Sequence, residues 1–185
     1  MLPEDRGTKI ELYERPPRVR AHSADTAAPG CYACGRSLLM STDSGLYLGL
    51  ASRHSAPSNY LETLRVLVDG GWTSNDHGQL SYLPLGDGDN FAWRGLPLER
   101  EPEMWTELGL KAAAGELLGL TLRWQETPIG ASFLVAPDLN ITISFLINRR
   151  VTARGVTDVT WYLERLVPLL GAHWDITSLQ WNEHP

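Results

Sequence analysis

The stretch Leu139-Asn140-Ile141-Thr142-Ile143-Ser144-Phe145-Leu146-Ile147-Asn148 decides the fold. Ile141, Ile143, Phe145 and Ile147 fall on one side of an extended chain. Asn140, Thr142, Ser144 and Asn148 fall on the other, with Leu146 the one exception. A period of two, dense in β-branched types, describes a strand with one buried and one wetter face. Ala131-Ser132-Phe133-Leu134-Val135 supplies a second strand just before it, and Pro137-Asp138 the turn between them. Thr157-Asp158 then opens an amphipathic helix that points Val159, Tyr162, Leu163, Leu166, Val167 and Leu170 inward, and Pro168 is expected to bend or end it.

Working outward, Leu46-Tyr47-Leu48-Gly49-Leu50 reads as a short apolar strand. Ser55-Ala56-Pro57 opens a helix whose core stripe is Tyr60, Leu61, Leu64, Leu67 and Val68, and Gly70-Gly71 stops it. Trp72 to Leu85 is hairpin-like, with Asn75-Asp76-His77-Gly78 as the turn and Gln79 to Leu83 as a strand. Gly86 to Pro102 is the least regular part. Pro102 sits in the first turn of a helix through Met104, Trp105, Leu108, Ala112 and Ala113. Leu120, Leu122 and Trp124 alternate with polar residues in another strand, and Trp174 to Asn182 closes the sheet. The expected fold class is α+β: a single, mostly antiparallel sheet with helices packed on one face. Its order is split βαβ-like, with an inserted helix and an extra strand.

The 185 residues and 43% hydrophobic content suit one domain with a proper core. Residues 1–39, Pro-broken and without periodicity, are expected to be a poorly ordered arm, and residues 40–185 the domain. Met40, followed by a short polar lead and a strand, has the look of a second start. No run approaches the ~20 apolar residues of a membrane span, so a cytoplasmic protein is expected. Of 16 basic residues only Lys9 and Lys111 are lysine, which points to a GC-rich, bacterial coding sequence.

The net charge is −6, and the five acids and six bases of residues 1–39 leave −7 on residues 40–185. An acidic domain disfavours nucleic acid and anionic membranes as partners. Six acids against two arginines lie between Gly86 and Leu108, with Phe91, Trp93, Met104 and Trp105 interleaved. Acids steer a basic partner and aromatics anchor it, so the candidate binding residues are Asp87, Asp89, Phe91, Trp93, Glu99, Glu101 and Glu103. Of the seven tryptophans, Trp105, Trp124 and Trp174 are expected in the core; Trp161 falls off the stripe of its helix, and Trp181 lies near the C-terminus.

Catalytic signals are thin. There is no phosphate loop, no Gly-x-Ser-x-Gly elbow and no His pair at helical spacing. Asp87, Asp89 and Asn90 do not continue as a calcium loop, because Ala92 and Leu98 stand where a Gly and a Glu are required. Cys31 and Cys34, as Cys-x-x-Cys-Gly, form half of a zinc knuckle without a second cysteine pair. The leading expectation is a non-enzymatic protein-binding domain with no cofactor. One form of it is a bacterial immunity protein neutralising a cognate basic toxin. The alternatives are a small enzyme with a site near His54 or His77 and the acidic loop, and a zinc-dependent adaptor using Cys31 and Cys34.

Overall fold

A computed structural model of the chain describes residues 43–53, 59–87 and 90–184. The strands are β1 (Asp43–Ser52), β2 (Trp72–Thr73), β3 (Gln79–Tyr82), β4 (Arg94–Pro97), β5 (Leu118–Trp124), β6 (Gly130–Val135), β7 (Asn140–Ile147) and β8 (Trp174–His184). The helices are α1 (Leu61–Asp69), α2 (Glu101–Ala113) and α3 (Val159–His173). All eight strands form one antiparallel sheet in the order β4-β3-β5-β6-β7-β1-β8, with β2 added to β5. The three helices pack against this sheet, as an α+β fold requires.

The alternation read in β7 is the alternation observed. Ile141, Ile143 and Phe145 are buried, Thr142 and Ser144 are half-buried, and Leu146 lies 63% exposed on the face away from them. The pairing carries that alternation across neighbouring strands. Tyr82, Leu120, Phe133, Ile143, Leu46 and Trp181 stand opposite one another in a row on the helix-covered face. The adjacent row on the open face is Gly119, Leu134, Thr142, Tyr47 and Gln180. Each fully buried Leu or Phe on the covered face stabilises the fold by roughly 1.5–3 kcal/mol relative to exposure. The open face is fixed by register alone, since a slip by one residue would exchange the two rows.

Helix α1 touches both α2 and α3, and Thr63 and Val66 are buried beside the expected Leu61, Leu64 and Leu67. At its end, a Cβ on Gly70 would overlap the Leu169 side chain, so a larger residue there would force Leu169 to turn aside at the α1–α3 approach. In α2, Pro102 lies in the first turn and Glu101 and Glu103 favour its N-terminus. Asp158 caps α3, its carboxylate accepting from the Trp161 amide at 3.3 Å. Pro168 does not end that helix, which runs on to His173 with the ring on an exposed position.

Three local expectations are corrected. The segment Trp72 to Leu85 is not a hairpin of two paired strands: Trp72 pairs with Trp124 of β5, while β3 pairs with β4 and β5. A strand, β4, emerges from the stretch read as irregular. Trp161 is buried rather than off the core. It meets Trp72, Trp124 and Tyr162 edge-on, and the Arg165 guanidinium lies over its ring at 4.0 Å. The sequence helix wheel placed Trp161 outside because it counts neighbours within one helix, and these neighbours come from elsewhere.

Candidate functional site

The loop between β3 and β4 carries Asp87, Phe91 and Trp93 of the acidic, aromatic segment that the sequence singled out. Glu99, Glu101 and Glu103 follow β4 on a 3-10 turn and α2. The base of the loop is tied to α2 by three acids and a buried cation. The Lys111 side chain is fully buried, and its ammonium donates to the Pro84 carbonyl at 2.6 Å and to the Asp87 carboxylate at 2.5 Å. Glu116 adds a second carboxylate 3.4 Å from the same nitrogen, and also accepts from the Gly86 amide at 2.9 Å. Glu107, one turn earlier on α2, accepts from the Leu85 amide, the Tyr82 hydroxyl and Arg94. The Tyr82 phenol is therefore pushed up to about 12, first by burial and then by its hydrogen bond to the Glu107 carboxylate. Residues on both arms of the loop, Leu85 and Arg94, are held by the same carboxyl group.

At the far side of the loop the aromatics face water. Phe91 is 47% exposed and Trp93 36% exposed. Among the seven tryptophans, Trp93 is the one that reaches that level; Trp72, Trp161 and Trp174 are buried, and Trp105, Trp124 and Trp181 are partly buried against the core. Phe91 takes φ 51°, the left-handed region that a bulky side chain rarely adopts. The Trp93 amide donates to the Phe91 carbonyl at 3.0 Å, which closes a three-residue turn at Ala92. A strained residue with an exposed ring is the kind of feature that folding alone does not explain.

The acids divide into two groups. Asp87, with only 6% of its side chain exposed, is occupied by Lys111 and braces the loop from within. Glu101 accepts from the Ser74 hydroxyl at 2.6 Å and from the Trp105 indole at 3.3 Å, so it fastens α2 to the segment after β2. Glu99 and Glu103 are exposed on the 3-10 turn Leu98–Arg100 and the first turn of α2. Arg100 pairs with Glu103 at 2.6 Å and, by hydrogen bond first, holds its carboxyl below the usual carboxylate range. Asp89 lies outside the described residues, as do Cys31, Cys34, His54 and the expected helix opening at Ser55-Ala56-Pro57. His77 is at a turn, with φ 53° and its side chain 79% exposed, 3.9 Å from Asp76.

Sequence reasoning missed the bracing partners. Lys111 and Glu116 lie well away from the loop in the chain, and nothing in their spacing announces the contact. The one available signal was chemical: Lys111 is the only lysine in residues 40–185 and stands where an apolar residue would continue the α2 stripe from Met104 and Leu108. A hollow lined by Arg65, Val68, Asp69 and Trp105 adjoins a second along Val68, Ser74, Leu98 and Glu101, and both are open to solvent. Among the described residues no three His, Cys, Asp or Glu side chains gather to hold a metal ion, and no helix is long and apolar enough to cross a membrane. No family model, no curated protein and no solved structure matches this chain.

Proposed function

We propose that this chain is a non-enzymatic protein-binding domain that meets a basic protein partner with the loop between β3 and β4. The observation that carries the reading is the display of Phe91 and Trp93 on a strained turn whose base is locked by Lys111, Asp87 and Glu107. Residues 83–87 and 90–93 are pre-organised by these contacts. Less ordering entropy is lost on binding, and two large, rigid side chains are already presented as anchors. Exposed Glu99 and Glu103, on a domain segment carrying net −7, supply the field that draws a basic surface in. An immunity protein that covers the basic active face of a cognate toxin is one biological form of this arrangement.

The test is binding kinetics against the protein encoded beside this one, at low and moderate salt. Charge reversal at Glu99 and Glu103 is expected to lower the association rate, most at low salt, where screening is weak. Trp93→Ala is expected to raise the dissociation rate and cost about 2 kcal/mol, as anchor residues do. Parent-like binding by both variants would place the contact elsewhere, and turnover of a small molecule would end the binding-module reading.

A further inference from the structure

The two edges of the sheet are built differently. At one edge, β4 spans only Arg94–Pro97, beginning with a charged residue and ending with a proline that has no N–H to offer. That is how proteins usually blunt an edge against unwanted pairing. At the other edge, β8 runs Trp174–His184 and pairs with β1 alone among the described strands. From Ile176 to Asn182 it carries no charge and no proline. Thr177 is an extra residue at the register shift beside Gly49, and from Ser178 onward the ladder is regular. Glu183 faces inward, accepting from Arg149 at 3.0 Å and from the Thr157 amide and hydroxyl, so it does not guard the edge. On the helix-covered face Leu179 stands opposite buried Leu48, yet is itself 46% exposed.

We infer that β8 pairs antiparallel with the β8 of a second copy of this chain, joining two sheets into one across a two-fold axis. Such an axis, normal to the sheet, keeps each face on its own side, so it must set some residue opposite itself. Centring on Leu179 opposes Trp181 to Thr177, the extra residue at the register shift, where a regular ladder is broken. Centring on Trp181 opposes Leu179 to Glu183. Centring on Gln180 opposes Leu179 to Trp181 of the second copy, twice over, and Ser178 to Asn182 likewise, with Gln180 facing its own amide. That register covers the exposed leucine with an indole and places polar groups opposite polar groups, so the structure assigns it. The dimer leaves the β3–β4 loop free, because that loop lies at the opposite edge of the sheet.

The experiment uses the full chain carrying Cys31→Ser and Cys34→Ser. Sedimentation velocity over a wide concentration range is expected to show a monomer–dimer equilibrium. Gln180→Lys, which opposes two ammonium groups at the axis, is expected to weaken it by tenfold or more while the circular dichroism is unchanged. Gln180→Cys is expected to form a disulfide-linked dimer on mild oxidation. Asn182→Cys is not, because in this register the two added thiols would stand roughly 14 Å apart along the strands. A parent that stays monomeric at every concentration overturns the inference. So does a dimer indifferent to Gln180→Lys, or one that cross-links through position 182 and not 180.

Discussion

Replacing Lys111 by methionine tests how the β3–β4 loop is held. The ammonium sits at hydrogen-bond distance from the Pro84 carbonyl and the Asp87 carboxylate, with both side chains almost out of contact with water. Methionine fills much of the same volume but leaves the Asp87 carboxylate without its cation. Removing one partner of a buried ion pair costs ~3–5 kcal/mol, because the remaining charge stays desolvated. The loop lies at the surface and can turn Asp87 outward, which offsets part of that cost. The expected loss is about 3 kcal/mol, or roughly 6–12 °C in melting temperature for a domain of this size. Adding Asp87→Leu to Lys111→Met removes the stranded charge, and is expected to recover more than half of the loss. Urea unfolding of the parent, the two single variants and the double variant gives the coupling directly. Additivity within about 0.5 kcal/mol would refute the reasoning, since it would mean the two groups do not interact.

The remaining predictions follow from the same packing. Phe145→Ala removes a ring stacked on Tyr162 at 3.9 Å and is expected to cost ~3–5 kcal/mol by denaturant unfolding, while Thr142→Ala on the open face should cost well under half of that. Phe91→Gly relieves a left-handed backbone and removes a half-exposed ring, so it is expected to raise stability by about 1 kcal/mol while weakening partner binding. A variant both less stable and equally tight in binding would contradict the role given to Phe91. Tyr82 holds its proton to about 12 in the folded chain, above the ordinary 10.0 of an exposed tyrosine. Its contribution is therefore intact below pH 10, and is lost as the pH rises from there through about 12. Stability measured across that alkaline window should fall less steeply in Tyr82→Phe than in the parent. Tyrosinate absorbance should show Tyr82, Tyr60 and Tyr162 titrating late, the latter two also raised chiefly by burial.

The sheet was legible because its strands repeat one instruction. In β5, β6 and β7 the apolar residues recur every second position, and antiparallel pairing then forces those positions to share a face. Local reading failed where burial is decided by residues far away in the chain. Arg94-Gly95-Leu96-Pro97 has a single inward apolar residue, Leu96, too little to announce a strand until Leu80 stands opposite it. Val66 faces away from the expected stripe of α1 and is buried nonetheless, because that helix meets both of the others. The candidate site was half legible. Composition marked Phe91 and Trp93 as aromatics in an acidic loop, and they are exposed. Composition counted Asp87 as a free surface charge, although a lysine twenty-four positions onward holds it inside. Charge counting sees the number of acids, and only the fold shows which of them are already neutralised by an internal cation.

The most direct test of the binding account is hydrogen exchange of the full chain, alone and saturated with the protein encoded beside it. New protection is expected at the amides of Phe91 to Leu96 and in the first turn of α2, with the open face of the sheet unchanged. Protection around Thr142 and Ser144, with Phe91 to Leu96 exchanging as in the free chain, would contradict it.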